Sequence, residues 1–258
     1  IFQNEDVAIC DSTPIIRQLE IQYKDRNVIP EDKALAFINY ILEDFGDEWV
    51  TKFMFHYRWH FKEDINNAGN ILPLLHSVNL DNESHKQFKD YISDHQVSRL
   101  WVVGSNQKTA AIIEKSYQRL LSLLEKHFQN TPYFLGNRPS SADFAIYGQM
   151  TQLIGFDPTS RTLALEKSPR SVAWVDLLED LSGLSSVEND WVPLENAHES
   201  LHNIFKEIGR GYVPAMIENA KAFSSSKDKW QTDIDGAEWE QKTFPYQAKC
   251  LGWIKKEF

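Results

Sequence analysis

Sulfur is scarce in this chain of 258 residues, which holds 2 cysteines, Cys10 and Cys250, and 3 methionines. So few cysteines cannot make a disulfide framework. They fit a reducing compartment, and a cytoplasmic location is expected. Positive charge is also short. Lys and Arg total 27 against 37 Asp and Glu, a formal net charge of −10. That balance argues against a nucleic-acid backbone or an anionic membrane as partner. No apolar run approaches the roughly 20 residues that span a bilayer. The opening IFQNEDVAIC has neither the basic start nor the long apolar stretch of a secretory signal. It also lacks a starting Met, so the chain is expected to be a fragment, or a processed form, that begins within a fold. The sequence contains no Gly-rich phosphate loop, no CxxC pair and no GxSxG elbow. It has no internal repeat either, and no low-complexity tract beyond Ser224-Ser225-Ser226. What is present, 42% hydrophobic and 25% charged residues, reads as soluble and globular.

The stretch from Asn137 to Met150, NRPSSADFAIYGQM, organises the rest. Ser140 is a good helix N-cap, and its hydroxyl can accept the backbone N–H of Asp143. The Asp143 carboxylate can reach back to the Ser140 N–H, which makes a reciprocal capping box. That carboxylate also sits at the positive end of the helix dipole. Phe144, Ala145, Ile146, Met150, Leu153 and Ile154 follow. A helix apolar on most sides belongs inside a domain.

Tyr133-Phe134-Leu135-Gly136 followed by Ser140-Ser141-Ala142-Asp143 resembles the FLG-type turn, capping box and central core helix of the helical domain of glutathione transferases. The resemblance implies a folding role for Ser140 and Asp143, not a catalytic one. The N-terminus extends it. Ile1-Phe2 and Val7 to Cys10 read as short strands joined by the polar turn Gln3-Asn4-Glu5-Asp6. Then Asp11-Ser12-Thr13-Pro14 opens a helix with Ile15, Ile16 and Leu19. This order resembles the last third of that family's thioredoxin-like domain. There, an acidic residue followed by Ser binds the γ-glutamyl end of glutathione. The resemblance implies that Ser12 and the helix N-terminus hold the carboxylate and that Asp11 meets the ammonium. Without the resemblance, the same residues are an ordinary helix cap. The family's catalytic Ser, Tyr or Cys would lie upstream of residue 1, so the catalytic residue is unknown here.

Leu35, Ile38, Leu42, Phe45, Trp49 and Phe53 recur at helical spacing and predict one long helix from about Asp32 to Phe61. Trp49, Phe53 and Tyr57 share a face. The resemblance implies a hydrophobic-substrate wall there, and core packing or a dimer face is the plainer reading. His56 and His60 lie at i, i+4 with Asp64 at i+8, a spacing that could hold a metal. With no Cys near and aromatics crowding the stretch, hydrogen-bonded or surface histidines are expected and no metal. Asn, Gly and Pro across 65–81 predict a long excursion over the site. Helices are expected over about 84–101, 108–128, 195–208 and 213–223. Two more are expected after Asp157-Pro158 and from Pro169. Asp235-Gly236 predicts a hairpin turn, and Pro245 starts a last helix. The run FPYQAKCLGWI resembles the tail of a bacterial subgroup of glutathione-transferase-like proteins.

His198-Glu199-Ser200-Leu201-His202 is a formal HExxH, the zinc-hydrolase pattern. A third ligand is needed. Phe205 and Ile208 stand where one zinc-protease subfamily has Gly and His, which leaves Glu218 as the only candidate. A solvated helix face is the plainer reading.

The expected fold is mainly α. A partial thioredoxin-like ββα remnant (1–25) precedes a glutathione-transferase-type helical bundle (32–182) and a C-terminal helical extension with a hairpin (183–258). The implied activity is conjugation or thiol transfer of glutathione, as co-substrate, to a small electrophile. No metal, nucleic acid or membrane is implied, and a homodimer is allowed. The alternatives are a non-catalytic binding or interaction protein on the same fold and, behind it, a zinc hydrolase.

Overall fold

The computed structural model describes residues 2–4, 7–185 and 191–258. The expected strand residue Ile1 and the turn residues Glu5 and Asp6 lie outside the described residues. Strands β1 (Phe2–Asn4) and β2 (Val7–Ile9) pair antiparallel, with Phe2 opposite Ile9. Helix α1 (Ser12–Gln22) follows and buries none of its residues. The architecture is therefore mainly α, with a small ββα piece at the N-terminus.

The long periodic segment forms as predicted, with one change of pitch. Helix α2 (Lys33–Phe45) passes through a π-helical turn, Gly46–Val50, into α3 (Thr51–His60). Asp32 caps α2 by accepting the Leu35 N–H at 2.8 Å. Gly46 marks a close approach to helix α7 (Ser141–Gly155). A Cβ there would lie 3.1 Å from the Ile146 backbone nitrogen, tighter than most side chains tolerate.

The excursion expected over 65–81 does not occur. Helix α4 (Lys62–His76) takes most of it and pairs with α5 (Asn82–Val97). Its loop-like residues are used sideways. Asn67 donates to the Phe156 carbonyl at 2.9 Å, while Asn66 and Asn70 accept from Lys89 Nζ at 2.7 and 2.8 Å. Gly69 is where α5 comes closest, since a Cβ there would meet Ser93 Oγ at 2.6 Å. Pro73 sits inside the helix. Tertiary contacts thus override weak local propensity.

Helix α6 (Ala110–His127) runs beside α3, and α7 fills the centre. Helices α8 (Pro158–Lys167) and α9 (Pro169–Leu178) close that end. Further along the chain come α10 (Glu199–Arg210), α11 (Tyr212–Ser224), the hairpin β3 (Lys229–Ile234) and β4 (Ala237–Lys242), and α12 (Pro245–Glu257). One core cluster contains Leu42, Tyr117 and Ile146 of the bundle as well as Ile204, Met216 and Trp239 of the C-terminal part. Among the described residues no helix is long and apolar enough to cross a membrane.

The capping box forms at the start of α7. The Asp143 carboxylate accepts the Ser140 N–H and the Ser140 hydroxyl, each at 2.8 Å, and the Phe134 N–H at 3.0 Å. Asp143 and Ser140 are fully buried. Asp143→Ala would leave two buried N–H groups without a partner and remove the cap. The expected loss is about 2–4 kcal/mol, seen in thermal or urea melts. An unchanged melting curve would show that the cap contributes nothing.

Candidate functional site

Asp11 precedes α1 as its N-cap residue and has a left-handed backbone, with φ 82° and ψ 138°. An L-residue held there costs on the order of 1–3 kcal/mol. Its side chain makes no capping bond. Its carboxylate instead accepts from the Tyr246 hydroxyl at 3.2 Å. Two cavities flank this end of α1. The first, about 500 Å³, is lined by Asp11, Thr13, Arg17, Asp44, Asp47, Glu48, Tyr246 and Lys256, among others. The second is apolar and lined by Ser12, Ile15, Ile16, Leu19 and Phe144. Asp11 and Ser12 are both exposed at the helix start, but their side chains border different cavities.

The wall of the first cavity is rich in carboxylates. Asp44, Asp47 and Glu48 come from the C-terminal end of α2 and its π-helical turn. Burial, reinforced by the negative charges of Glu48 and Glu43, pushes Asp44 up to about 7 even though the Tyr212 hydroxyl donates to it. Asp47 is pushed up to about 8, by burial first and then by Glu43 and Asp44. Glu43 takes hydrogen bonds from Thr13 of α1 and Ser141 of α7. One carboxylate thereby joins the candidate site to the capping box. Cys250 faces Glu48 Oε1 at 3.7 Å, and burial raises its thiol pKa. It is not a thiolate nucleophile at neutral pH.

The hydrophobic-wall expectation needs correction. Trp49, Phe53 and Tyr57 are at most 1% exposed and belong to the core cluster. Phe53 and Tyr57 pack on Tyr117 of α6, and Trp49 packs on Trp239 of the hairpin with ring centres 5.4 Å apart. The stripe turns inward because α6 and the hairpin cover it. Lys52 is buried beside these rings, and burial lowers its ammonium pKa to about 8. It donates to the Val103 carbonyl and Gln241 and so ties the hairpin to α3.

The histidine motifs also rearrange. Asp64 does not join His56 and His60. Its buried carboxylate accepts the Thr159 N–H at 3.0 Å and the Thr159 hydroxyl, which caps the first turn of α8. Glu114 of α6 takes the place beside the two histidines, and ligand atoms of the three lie within 4.8 Å of one another. Burial, with His60 nearby, lowers His56 to about 3, so its imidazole is neutral. The HExxH pattern fails on helix geometry. His198 is the N-cap of α10, outside the helix, and its Nδ1 accepts the Ser200 N–H at 3.1 Å. The expected helix from Glu195 begins only at Glu199, after a 3-10 turn at Leu194–Asn196.

Raised carboxyl values make stability depend on pH in a defined direction. Asp44 and Asp47 hold protons in the folded chain to about 7 and 8, whereas their ordinary value is 3.8. The folded state binds more protons between those limits, so their contribution to stability falls as pH rises from about 4 to about 8, then levels off. Asp47→Asn removes one of these titrations. Its melting temperature should exceed that of the wild type by a wider margin at pH 9 than at pH 5. An equal margin at both would show that Asp47 ionises normally.

Residues 93–187 match the family described as "Glutathione S-transferase, C-terminal domain". The match spans the FLG turn, the capping box and α6 to α9, and it leaves Asp11, Ser12 and the C-terminal helices outside. Among curated proteins none matches the chain. Family match, buried capping box and helical core agree, and residues 93–187 are similar to the C-terminal domain of glutathione S-transferases.

Proposed function

We propose that the protein binds glutathione by its γ-glutamyl end at the start of α1. It would then act as a glutathione transferase, by conjugation or thiol transfer to a small electrophile. The observation that carries this reading is the 500 Å³ cavity at Asp11. A γ-glutamyl end is zwitterionic. Its ammonium suits the Asp11 carboxylate, with Asp44 and Asp47, which hold protons to about 7 and 8, adding acceptor oxygens, and its carboxylate suits the N-terminus of α1, with Arg17 and Lys256 also lining the cavity. The backbone strain at Asp11 fits a residue held for a ligand. Attack would come from the glutathione thiolate, which such a site favours by lowering the thiol pKa. The residue that does so is not assigned to this chain, and Trp49, Phe53 and Tyr57 are not offered as the electrophile's wall.

Calorimetric titration of glutathione into the intact protein tests the reading. Asp11→Ala should weaken binding by about 1.5–3 kcal/mol if the pair with the ammonium is desolvated, and Ser12→Ala, at a side chain that borders the neighbouring cavity, by no more than about 1 kcal/mol. With substrate turnover, both should raise KM more than they lower kcat, because neither touches the thiol. Glutathione binding identical in both variants would reduce Asp11-Ser12 to a helix start. No binding in the wild type would favour a non-catalytic interaction protein.

A further inference from the structure

Three metal-ligating side chains converge on the seam between α3 and α6. His56 and His60 stand one turn apart on α3 with their rings stacked, centres 4.5 Å apart, and Glu114 approaches from α6. His56 is the fixed member and has no exposed surface. Its Nδ1 lies 2.8 Å from Ser105 Oγ. Its Nε2 points at Glu114 Oε1 from 3.5 Å, and this buried atom has no hydrogen-bond partner. That gap is too long for a good hydrogen bond. A buried ring nitrogen left so carries the full cost of its lost hydration. An ion between nitrogen and carboxylate removes that cost.

We propose that His56, His60 and Glu114 form a binding site for a divalent transition-metal ion of the zinc class, linking α3 to α6. Two imidazoles and one carboxylate are a known donor set for zinc sites that keep a fourth position for water. With Nδ1–H donated to Ser105, the Nε2 lone pair faces the ion, the usual way an outer hydrogen bond orients a histidine ligand. Bonds of about 2.0–2.2 Å around a tetrahedral ion put ligand atoms roughly 3.4 Å apart. The observed spread of up to 4.8 Å must therefore close somewhat. His60 is exposed and Glu114 half-buried, so these two can move toward a stationary His56. The open side at His60 leaves the fourth position to solvent. The third ligand comes from a different helix, which is why i, i+4, i+8 spacing in the sequence points instead to Asp64, a residue of α4.

The test uses untagged protein stripped with a chelator. Zinc is titrated by calorimetry, metal content is measured after dialysis, and cobalt(II) is followed by its visible absorption. The expected result is one zinc per chain and the intense bands of four-coordinate cobalt. His60→Ala and Glu114→Ala should each weaken zinc binding by at least about tenfold without changing the circular dichroism of the metal-free protein. Both change residues at the protein surface, so they avoid the folding defect that His56→Ala could cause. A His198→Ala, His202→Ala double variant should bind zinc like the wild type. The proposal is overturned if the wild type binds no stoichiometric zinc. It is equally overturned if binding survives both His60→Ala and Glu114→Ala, or is lost in the His198/His202 variant.

Discussion

A helix whose first turn is buried cannot hand its first N–H groups to water, and α7 is such a helix. Ser140, Ser141 and Asp143 at its start are all fully buried. An uncapped start would strand several donors in the core, each costing about 1–3 kcal/mol. Asp143 is the answer to that constraint. Its carboxylate collects the Ser140 and Phe134 N–H groups and so fixes the FLG turn and the helix as one unit. The Val28 carbonyl accepts the Ser141 N–H at 2.9 Å and Asn39 of α2 accepts the Ala142 N–H at 3.1 Å, so the next donors are met from outside the helix. Burial pushes the Asp143 carboxyl up to about 6 against these hydrogen bonds. The cap is ionised at neutral pH, and its margin is thin.

The same face of α2 that serves α7 also builds the candidate site. Glu43 bonds Ser141 on one side and Thr13 of α1 on the other. Asp44, Asp47 and Glu48 follow it along the chain and line the cavity at Asp11. The position of α1, which buries no side chain of its own, therefore depends on a polar link to the best-packed part of the molecule. A small ligand that enters the cavity meets groups held by the core on one wall and by α1 and α12 on the other.

Elements whose structure follows from local chemistry were legible in the sequence. The capping box is a reciprocal bond between near neighbours, the Asp235-Gly236 turn joins two paired strands, and the apolar face of α6 repeats at helical spacing. What was not legible depends on distant partners. Asn66, Asn67, Gly69 and Asn70 read as a loop because their stabilising contacts, Phe156, Lys89 and Ser93, are remote in sequence. The aromatic stripe was visible, but which way it faced was decided by the hairpin and α6. His198 fell outside its helix because its ring competes as a cap. Glu114 had no signal in the sequence that would pair it with His56.

The π-helical turn at Gly46–Val50 has a consequence for chain length. A π turn holds one residue more than the α turn it replaces. Deleting any single residue there restores the regular pitch and leaves everything before it in place. It also keeps all that follows in phase, because the π turn takes up its extra residue within one turn. Phe53 and Tyr57 would keep facing the interior, and His56 would stay beside Ser105. Relatives of this chain can therefore be one residue shorter between Glu43 and Phe53 with the faces of α3 unchanged, whereas a second deletion there would turn α3 by roughly 100° about its axis.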